Sequence, residues 1–155
     1  MLNLAKSVFH NIGVVIVGFV VAFIGTRIDL LMGLRDFRST FPMAVGWLLV
    51  FVGFLLRAWA AFYFYEHRMR VISMRPQAAL LTSGPYAFSR NPLYLGGNVF
   101  IFFGAALVLG SPAALVLIAV HLFFVELFIR REERQLEEQF GEAWACYRGR
   151  VRRWI

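Results

Sequence analysis

A polar stretch rich in turn-forming residues comes just before the third apolar segment of the sequence. Residues 84–97 read Gly-Pro-Tyr-Ala-Phe-Ser-Arg-Asn-Pro-Leu-Tyr-Leu-Gly-Gly. Pro85 and Pro92 lack a backbone donor and disfavour helical backbone in the residue before each of them, whereas Gly96 and Gly97 let another group approach the backbone closely. The stretch could simply cap a helix that has Pro92 in its first turn, or it could cradle a ligand.

A second polar stretch follows the fourth apolar segment. Residues 130–133 read Arg-Arg-Glu-Glu, so Glu132 and Glu133 offer carboxylate acceptors to a ligand. Glu137 and Glu138 follow at helical spacing, and we assign them to a hydrated helix face. The first pair could belong to the same face, but it lies where the fourth segment leaves the apolar phase. We therefore expect this pair to carry chemistry.

A tight turn connects the third and fourth apolar segments. Gly110–Pro112 supplies a turn glycine, Ser111 as an N-cap and a proline suited to the first helical position. The two segments therefore form a helical hairpin, which brings Asn91 close to Arg130 at its open end. The turn is too short to hold a site, so we expect the site at that open end.

The composition places the chain in a membrane. Of its 155 residues, 60% are hydrophobic and 17% aromatic, with a mean hydropathy of +0.68, more than a soluble domain of this size can bury. The net charge of +7 is better explained by arginines flanking membrane spans than by nucleic-acid binding, so we expect no nucleic acid as partner. The lone Cys146 forms no internal disulfide, and His10, His67 and His121 lack metal-ligand spacing, so we expect no metal.

Four apolar segments are long enough to span a bilayer. Arg27 and Asp29 should end the first span, and Gly46, Gly53 and Ala58 in the second are small enough for close helix packing. The expected spans are Val8–Thr26, Pro42–Tyr65, Leu93–Leu109 and Pro112–Ile129.

Beyond the fourth span, apolar residues continue at helical spacing among charged ones. This pattern predicts a separate helix from Arg130 that lies on the membrane surface, ends at Gly141 and is followed by a short helix. The fold class is therefore all-α, with about four transmembrane helices and a C-terminal interfacial helix. We expect one domain over residues 1–155, divided into two N-terminal spans (8–66) and a hairpin with its tail (81–155).

The connection between the second and third spans carries positive charge and orients the chain. It runs over Glu66–Asn91 and should contain a short amphipathic helix at Pro76–Ser83. Lys6, four arginines in this connection and seven from Arg130 onward share one side. The positive-inside rule places that side, and the site, in the cytoplasm, and we expect a multi-pass protein of a prokaryotic plasma membrane. Three arginines lie opposite: Arg27, Arg35 and Arg38.

Three ionisable residues inside the predicted spans are candidates for a functional role. Arg57 lies in the second, and His121 and Glu126 lie in the cytoplasmic half of the fourth. An isolated charge in hydrocarbon costs several kcal/mol, so such residues pair, reach the interface or serve function. Arg57 could reach the interface or bind a ligand, and His121 and Glu126 could be structural partners or proton acceptors.

The two polar stretches resemble the isoprenylcysteine carboxyl methyltransferase and phospholipid methyltransferase superfamily of integral-membrane enzymes. The similarity covers residues 81–154 in two blocks. The first is Gly-Pro-Tyr followed by Arg-Asn-Pro-Leu-Tyr-Leu-Gly within 84–96, and the second begins with Glu132-Glu133 and includes Phe140-Gly141, Tyr147 and Val151-Arg152-Arg153.

This resemblance implies an S-adenosylmethionine site at the cytoplasmic mouth of the last two spans. In the superfamily, the first block wraps the cofactor and the glutamates of the second contact its polar groups. Asn91 stands where the prenylcysteine enzymes have His, whereas the Val-Arg-Arg ending is typical of those enzymes, so the acceptor stays open. The implied cofactor-binding residues are Asn91, Pro92, Leu93, Tyr94, Gly96, Glu132 and Glu133.

Methyl transfer from a sulfonium needs an oriented acceptor and the exclusion of water rather than a catalytic triad. Arg57 or Arg90 could hold a carboxylate acceptor, and Glu126 or His121 could take a proton from an amine or thiol. The expected partners are membrane lipids and a lipophilic or lipidated acceptor that enters from the bilayer. A prenylcysteine-type carboxylate comes first and a phospholipid amine second. A membrane reductase that uses a nicotinamide cofactor and a non-enzymatic membrane scaffold remain the alternatives.

Overall fold

Four long helices and a short C-terminal helix make up the fold. The computed structural model describes residues 2–67 and 79–155, and no strand occurs among them. The first four helices are long and apolar enough to cross a membrane, which confirms the all-α integral membrane fold. The helices are α1 (Leu2–Met32), α2 (Thr40–Glu66), α3 (Pro92–Leu109), α4 (Pro112–Phe140) and α5 (Glu142–Arg150), and Gly84–Ala87 forms a short 3₁₀ helix.

The first helix continues past Arg27 and Asp29, which were expected to end it. Arg27 stacks over the Phe23 ring at 4.7 Å, and the Asp29 side chain is only 5% exposed. Its carboxylate accepts from the Ser111 hydroxyl and from the Ala113 N–H at 2.9 Å, both at the start of α4. A carboxylate is tolerated here because it caps the positive end of another helix.

The fourth helix also runs further than predicted. Residues 130–140 extend it without a break instead of forming a separate interfacial helix, because no glycine or proline interrupts the chain between Pro112 and Gly141. Gly141, at a φ of 49°, ends α4 as expected, and the short helix α5 follows. Ser111 caps α4 as predicted, since its hydroxyl accepts from the Ala114 N–H at 3.0 Å.

The predicted helix at Pro76–Ser83 is absent from the part of this range that the structure describes. Residues 76–78 lie outside the described residues, and residues 79–83 are not helical. Leu81 packs instead against a small buried cluster around Tyr86 and Phe64.

Helices α2 and α3 pack with their backbones in direct contact. A Cβ on Gly46 would lie 2.6 Å from the Gly104 carbonyl oxygen, and one on Gly53 would lie 2.5 Å from that of Gly96. The converse holds from the α3 side, where a Cβ on Gly104 or Gly96 would meet the opposite carbonyl at 2.6 Å. The predicted role of Gly46 and Gly53 in close helix packing is confirmed.

The spacing of these contacts explains an irregular segment of α3. Gly46 and Gly53 are seven residues apart on α2, whereas their partners Gly104 and Gly96 are eight apart on the antiparallel α3. The extra residue is absorbed by a π-helix at Leu95–Ile101, which winds more residues into each turn. The π-helix therefore keeps both glycine contacts in register.

We predict that Gly53→Ala lowers the midpoint of thermal unfolding of the purified protein in detergent. The added methyl would overlap the Gly96 carbonyl, and overpacking costs about 1–3 kcal/mol. Gly13→Ala is the matched control, because a Cβ there meets nothing within 4 Å and alanine favours a helix. An unchanged midpoint for Gly53→Ala would contradict the packing described here.

Candidate functional site

The loop before α3 is held down by the C-terminal helix. Gly84 adopts a φ of 60°, and a Cβ there would lie 2.9 Å from the Tyr63 ring. Tyr86 follows and is buried, and its carbonyl accepts from the Tyr147 hydroxyl of α5 at 2.8 Å. Burial raises the pKa of Tyr147 to about 12, so this hydroxyl remains a donor at neutral pH.

The last residues of the chain run alongside the same loop. The Arg90 N–H donates to the Arg152 carbonyl at 3.0 Å, and the Ser89 hydroxyl donates to the Arg153 carbonyl at 3.1 Å. Asn91 is 9% exposed and places its Nδ2 3.5 Å from that same Arg153 carbonyl. The chain terminus therefore covers the first polar block.

Arginines and glutamates from three parts of the chain form one cluster, consisting of Arg90, Glu126, Glu133 and Arg153. Arg153 makes two hydrogen bonds to Glu133 and a third, of 2.6 Å, to Glu126. Arg90 approaches Glu133 at 3.3 Å, and their side chains are only 9% and 13% exposed. Glu126 also accepts from the exposed Arg130 at 2.9 Å.

The two arginines of this cluster differ in environment. Hydrogen bonding to Glu133 raises the pKa of Arg153. Burial lowers the pKa of Arg90, against the opposing influence of Glu133. Arg153, with three hydrogen bonds to two glutamates, is therefore the more strongly paired of the two arginines.

The other glutamate of the pair also contacts the first block. The Tyr94 hydroxyl lies beside the Glu132 carboxylate. Arg90 and Tyr94 thus connect the loop and the start of α3 to Glu133 and Glu132 on α4. The expected meeting of the two blocks at the open end of the hairpin is confirmed.

Several polar atoms in this region are buried without a hydrogen-bond partner among residues 2–67 and 79–155. They include two nitrogens of Arg90, Nε and Nη1, although the guanidinium lies 5.5 Å from the centre of the Trp144 ring. The Tyr86 hydroxyl and the Trp144 indole N–H are in the same situation. An unsatisfied buried polar group costs about 1–3 kcal/mol, so this set of donors indicates a binding site for a polar ligand.

The remaining predicted residues lie in other surroundings. Gly96 is closed off by its contact with Gly53, so its backbone faces α2 rather than an open cradle. Leu93 packs against the cluster around Tyr86, and Pro92 is fully buried at the start of α3. His121 is 2.8 Å from the Asn98 side-chain oxygen, which joins α4 to the π-helix.

Arg57 stays inside the protein instead of reaching the interface. It is 8% exposed, and its Nη1 donates to the Leu93 carbonyl at 2.7 Å. None of its contacts is with the arginine–glutamate cluster. It therefore occupies a second position, on the α2 side of the same segment.

Sequence reasoning missed four residues that shape the site. Trp144 and Tyr147 were interpreted as the apolar side of a surface helix, although buried indole and phenol groups usually need polar partners. Arg153 was noted only as part of a motif, and Tyr86 only as part of the loop. The sequence did contain an indication of these roles, because the Val-Arg-Arg ending places Arg153 a few residues after Trp144 and Tyr147.

We predict that Tyr147→Phe destabilises the protein by about 1–3 kcal/mol, because the buried Tyr86 carbonyl would lose its partner. The measurement is chemical or thermal unfolding in detergent. Tyr63→Phe is the matched control, because the Tyr63 hydroxyl bonds Ser83 in an exposed position. Equal losses for the two variants would argue against the anchoring role of Tyr147.

Comparison of the chain with known protein families matches residues 41–143 to the phospholipid methyltransferase family. No curated protein and no solved structure matches the chain. The matched region contains α2, α3, all of α4 and the start of α5, and therefore well over half of the sequence. It includes the first polar block and the second as far as Gly141, whereas Tyr147 and Val151-Arg152-Arg153 lie beyond it. The resemblance to this superfamily is confirmed. The chain belongs to the phospholipid methyltransferase family and is a methyltransferase of the membrane.

Proposed function

We propose that the protein is an S-adenosylmethionine-dependent methyltransferase that binds its cofactor between the arginine–glutamate cluster and the start of α3. The observation that carries this proposal is the pair of buried Arg90 nitrogens, Nε and Nη1, that have no partner among the described residues, on a guanidinium that contacts Glu133. The residues present suit the cofactor, which has a carboxylate that needs donors and an ammonium and ribose hydroxyls that need acceptors. When bound, it supplies an activated methyl group on a sulfonium.

Each polar residue then has a distinct task. Arg90 would hold the cofactor's carboxylate through its free Nε and Nη1. Glu132, oriented by Tyr94, and Glu133, oriented by Arg153, would accept from the ammonium and the hydroxyls. Asn91 would contribute its side-chain amide, and the chain terminus that covers it would keep water out.

The acceptor would come from the bilayer, because the site lies where two membrane helices meet the interface. A lipophilic molecule keeps its tail in lipid while its reactive head meets the methyl group. A prenylcysteine-type carboxylate remains our first choice and a phospholipid amine our second. A carboxylate acceptor needs no base. An amine or thiol would need one, and both candidate bases are already engaged, Glu126 in ion pairs and His121 in a hydrogen bond with Asn98.

Calorimetry on the purified protein in detergent tests the cofactor assignment. We expect S-adenosylmethionine and S-adenosylhomocysteine to bind and nicotinamide dinucleotides not to bind. Binding of a nicotinamide instead would favour the membrane reductase. We do not expect this result, because the carboxylates of Glu132 and Glu133 would repel the phosphate on the ribose of such a cofactor. Binding of neither would favour a scaffold that assembles through its glycine-lined helices.

We predict that Glu133→Gln and Asn91→Ala each weaken S-adenosylhomocysteine binding about tenfold or more, because a cofactor group loses its partner. Glu138→Gln is the matched control on α4, since Glu138 is exposed. The same calorimetry gives the dissociation constants, and thermal unfolding verifies that each variant is folded. An equal loss in all three variants would mean that α4 as a whole had been disturbed, and the assignment would fail.

We further propose that the site faces the cytoplasm of a prokaryotic cell. Cys146 is exposed on α5 and is the one thiol in the sequence. A membrane-impermeant maleimide should label it in inverted vesicles and not in intact cells. Asp36→Cys combined with Cys146→Ala is the control, because residue 36 lies in the exposed connection on the opposite side and should show the reverse pattern. Labelling of Cys146 in intact cells would overturn the orientation.

A further inference from the structure

Arg57 is a buried cation with unused donors. Nη1 donates to the Leu93 carbonyl at 2.7 Å, and Nη2 lies 3.3 Å from His10 Nε2. Nε is buried and has no hydrogen-bond partner in the part of the chain that the structure describes. Among the described residues, no carboxylate lies within ion-pair distance of it. A charge held inside a membrane protein without a counter-ion is costly, and an anionic ligand would remove that cost.

His10 provides the second half of this arrangement. A guanidinium can only donate, so His10 Nε2 must accept from Arg57, and the ring proton of the neutral imidazole lies on Nδ1. His10 belongs to α1, which lies outside the matched residues 41–143. One turn away, the Ser7 hydroxyl donates to the Ala58 carbonyl at 2.8 Å and fixes α1 against α2 at this level.

The surroundings of the guanidinium place it next to the proposed cofactor site. The carbonyl it binds is that of Leu93, directly before Tyr94, whose hydroxyl lies beside Glu132. Gly97 borders it on α3, where a Cβ would lie 2.9 Å from Nη1. Any residue larger than glycine at position 97 would therefore collide with the Arg57 guanidinium.

We propose that His10 and Arg57 form an intramembrane pocket for an oxyanion, a carboxylate or a phosphate, carried by the lipophilic acceptor. Arg57 binds the oxyanion, and His10 is the positioning residue that holds Nη2 so that the remaining N–H groups face the ligand. The role of the ligand as a methyl acceptor rests on the proposed function, whereas binding of the ligand can be tested without the cofactor. It assigns acceptor selection partly to α1, which contributes none of the cofactor-binding residues.

Lipid binding without cofactor tests the pocket directly. The protein in dodecyl maltoside is titrated with oleate, dioleoyl phosphatidylglycerol, neutral dioleoylglycerol and inorganic phosphate, and complexes are counted by native mass spectrometry. We expect oleate and phosphatidylglycerol to be retained in preference to dioleoylglycerol. Inorganic phosphate should not displace them, because the pocket is reached through lipid.

The variants separate a ligand pocket from a packing contact. His10→Ala and Arg57→Gln should weaken retention of the two anionic lipids about tenfold, the usual effect of losing a charge-assisted hydrogen bond. His10→Gln should retain most of the binding, because its amide oxygen can accept from Nη2. His67→Ala and Arg134→Gln, which change an exposed histidine and an exposed arginine, should behave as the unaltered protein does.

The outcomes distinguish this inference from the proposed function. If His10→Ala lowers the unfolding temperature but leaves lipid preference unchanged, the pair is structural and the pocket is wrong, even where S-adenosylhomocysteine still binds. Displacement of the lipids by inorganic phosphate would also overturn the membrane-borne oxyanion. If lipid preference follows the variants while S-adenosylhomocysteine fails to bind, the pocket stands and the methyl-transfer proposal fails.

Discussion

Direct backbone contact between α2 and α3 is the constraint on which the rest of the structure depends. Because Gly46 and Gly53 touch Gly104 and Gly96, no side chain separates the two helices along this line. The close approach sets the register of α3, which must include a π-helix to meet both contacts. It also brings Arg57 within reach of the Leu93 carbonyl and leaves the first turn of α3 free to face α4.

The polar end of the protein is organised by a different kind of interaction. Arg153 bridges Glu126 and Glu133, while the backbone beside it accepts hydrogen bonds from Arg90 and Ser89. The chain terminus therefore acts as a strap over the loop and over α4 at once. The network still leaves four buried polar atoms without a partner among the described residues, two on Arg90 and one each on Tyr86 and Trp144, and these atoms are the reason to expect a ligand here.

Much of this arrangement could be predicted from the sequence. Hydropathy identified the four spans, and the hairpin argument correctly placed Tyr94 near Glu132. The errors came from treating residues one at a time. Asp29 was expected to end a helix because a charged residue is unfavourable in an apolar span. Its partners, the Ser111 hydroxyl and the Ala113 N–H of α4, are distant in sequence, so no local pattern shows that its charge is satisfied.

Two further features depended on tertiary contacts that no local pattern reveals. The π-helix follows from the mismatch between glycine spacings on two separate helices. The contact between Gly96 and Gly53 of α2 likewise joins residues that are far apart in sequence. The assignment of Gly96 to the cofactor, which the resemblance implied, stays a prediction.

The uninterrupted course of α4 has a consequence for the membrane in which the protein works. Asp29 fixes its first turn at one face, and Glu132 lies twenty residues beyond Pro112, which at a rise of about 1.5 Å per residue is about 30 Å. That distance equals the hydrocarbon thickness of an ordinary bilayer, about 30 Å. Because α4 is unbroken, the distance from its first turn to Glu132 and Glu133 is fixed. A thicker bilayer would place these glutamates in hydrocarbon, and a thinner one would place them beyond the lipid head groups. Membrane thickness thereby sets how deep Glu132 and Glu133 lie relative to the lipid head groups.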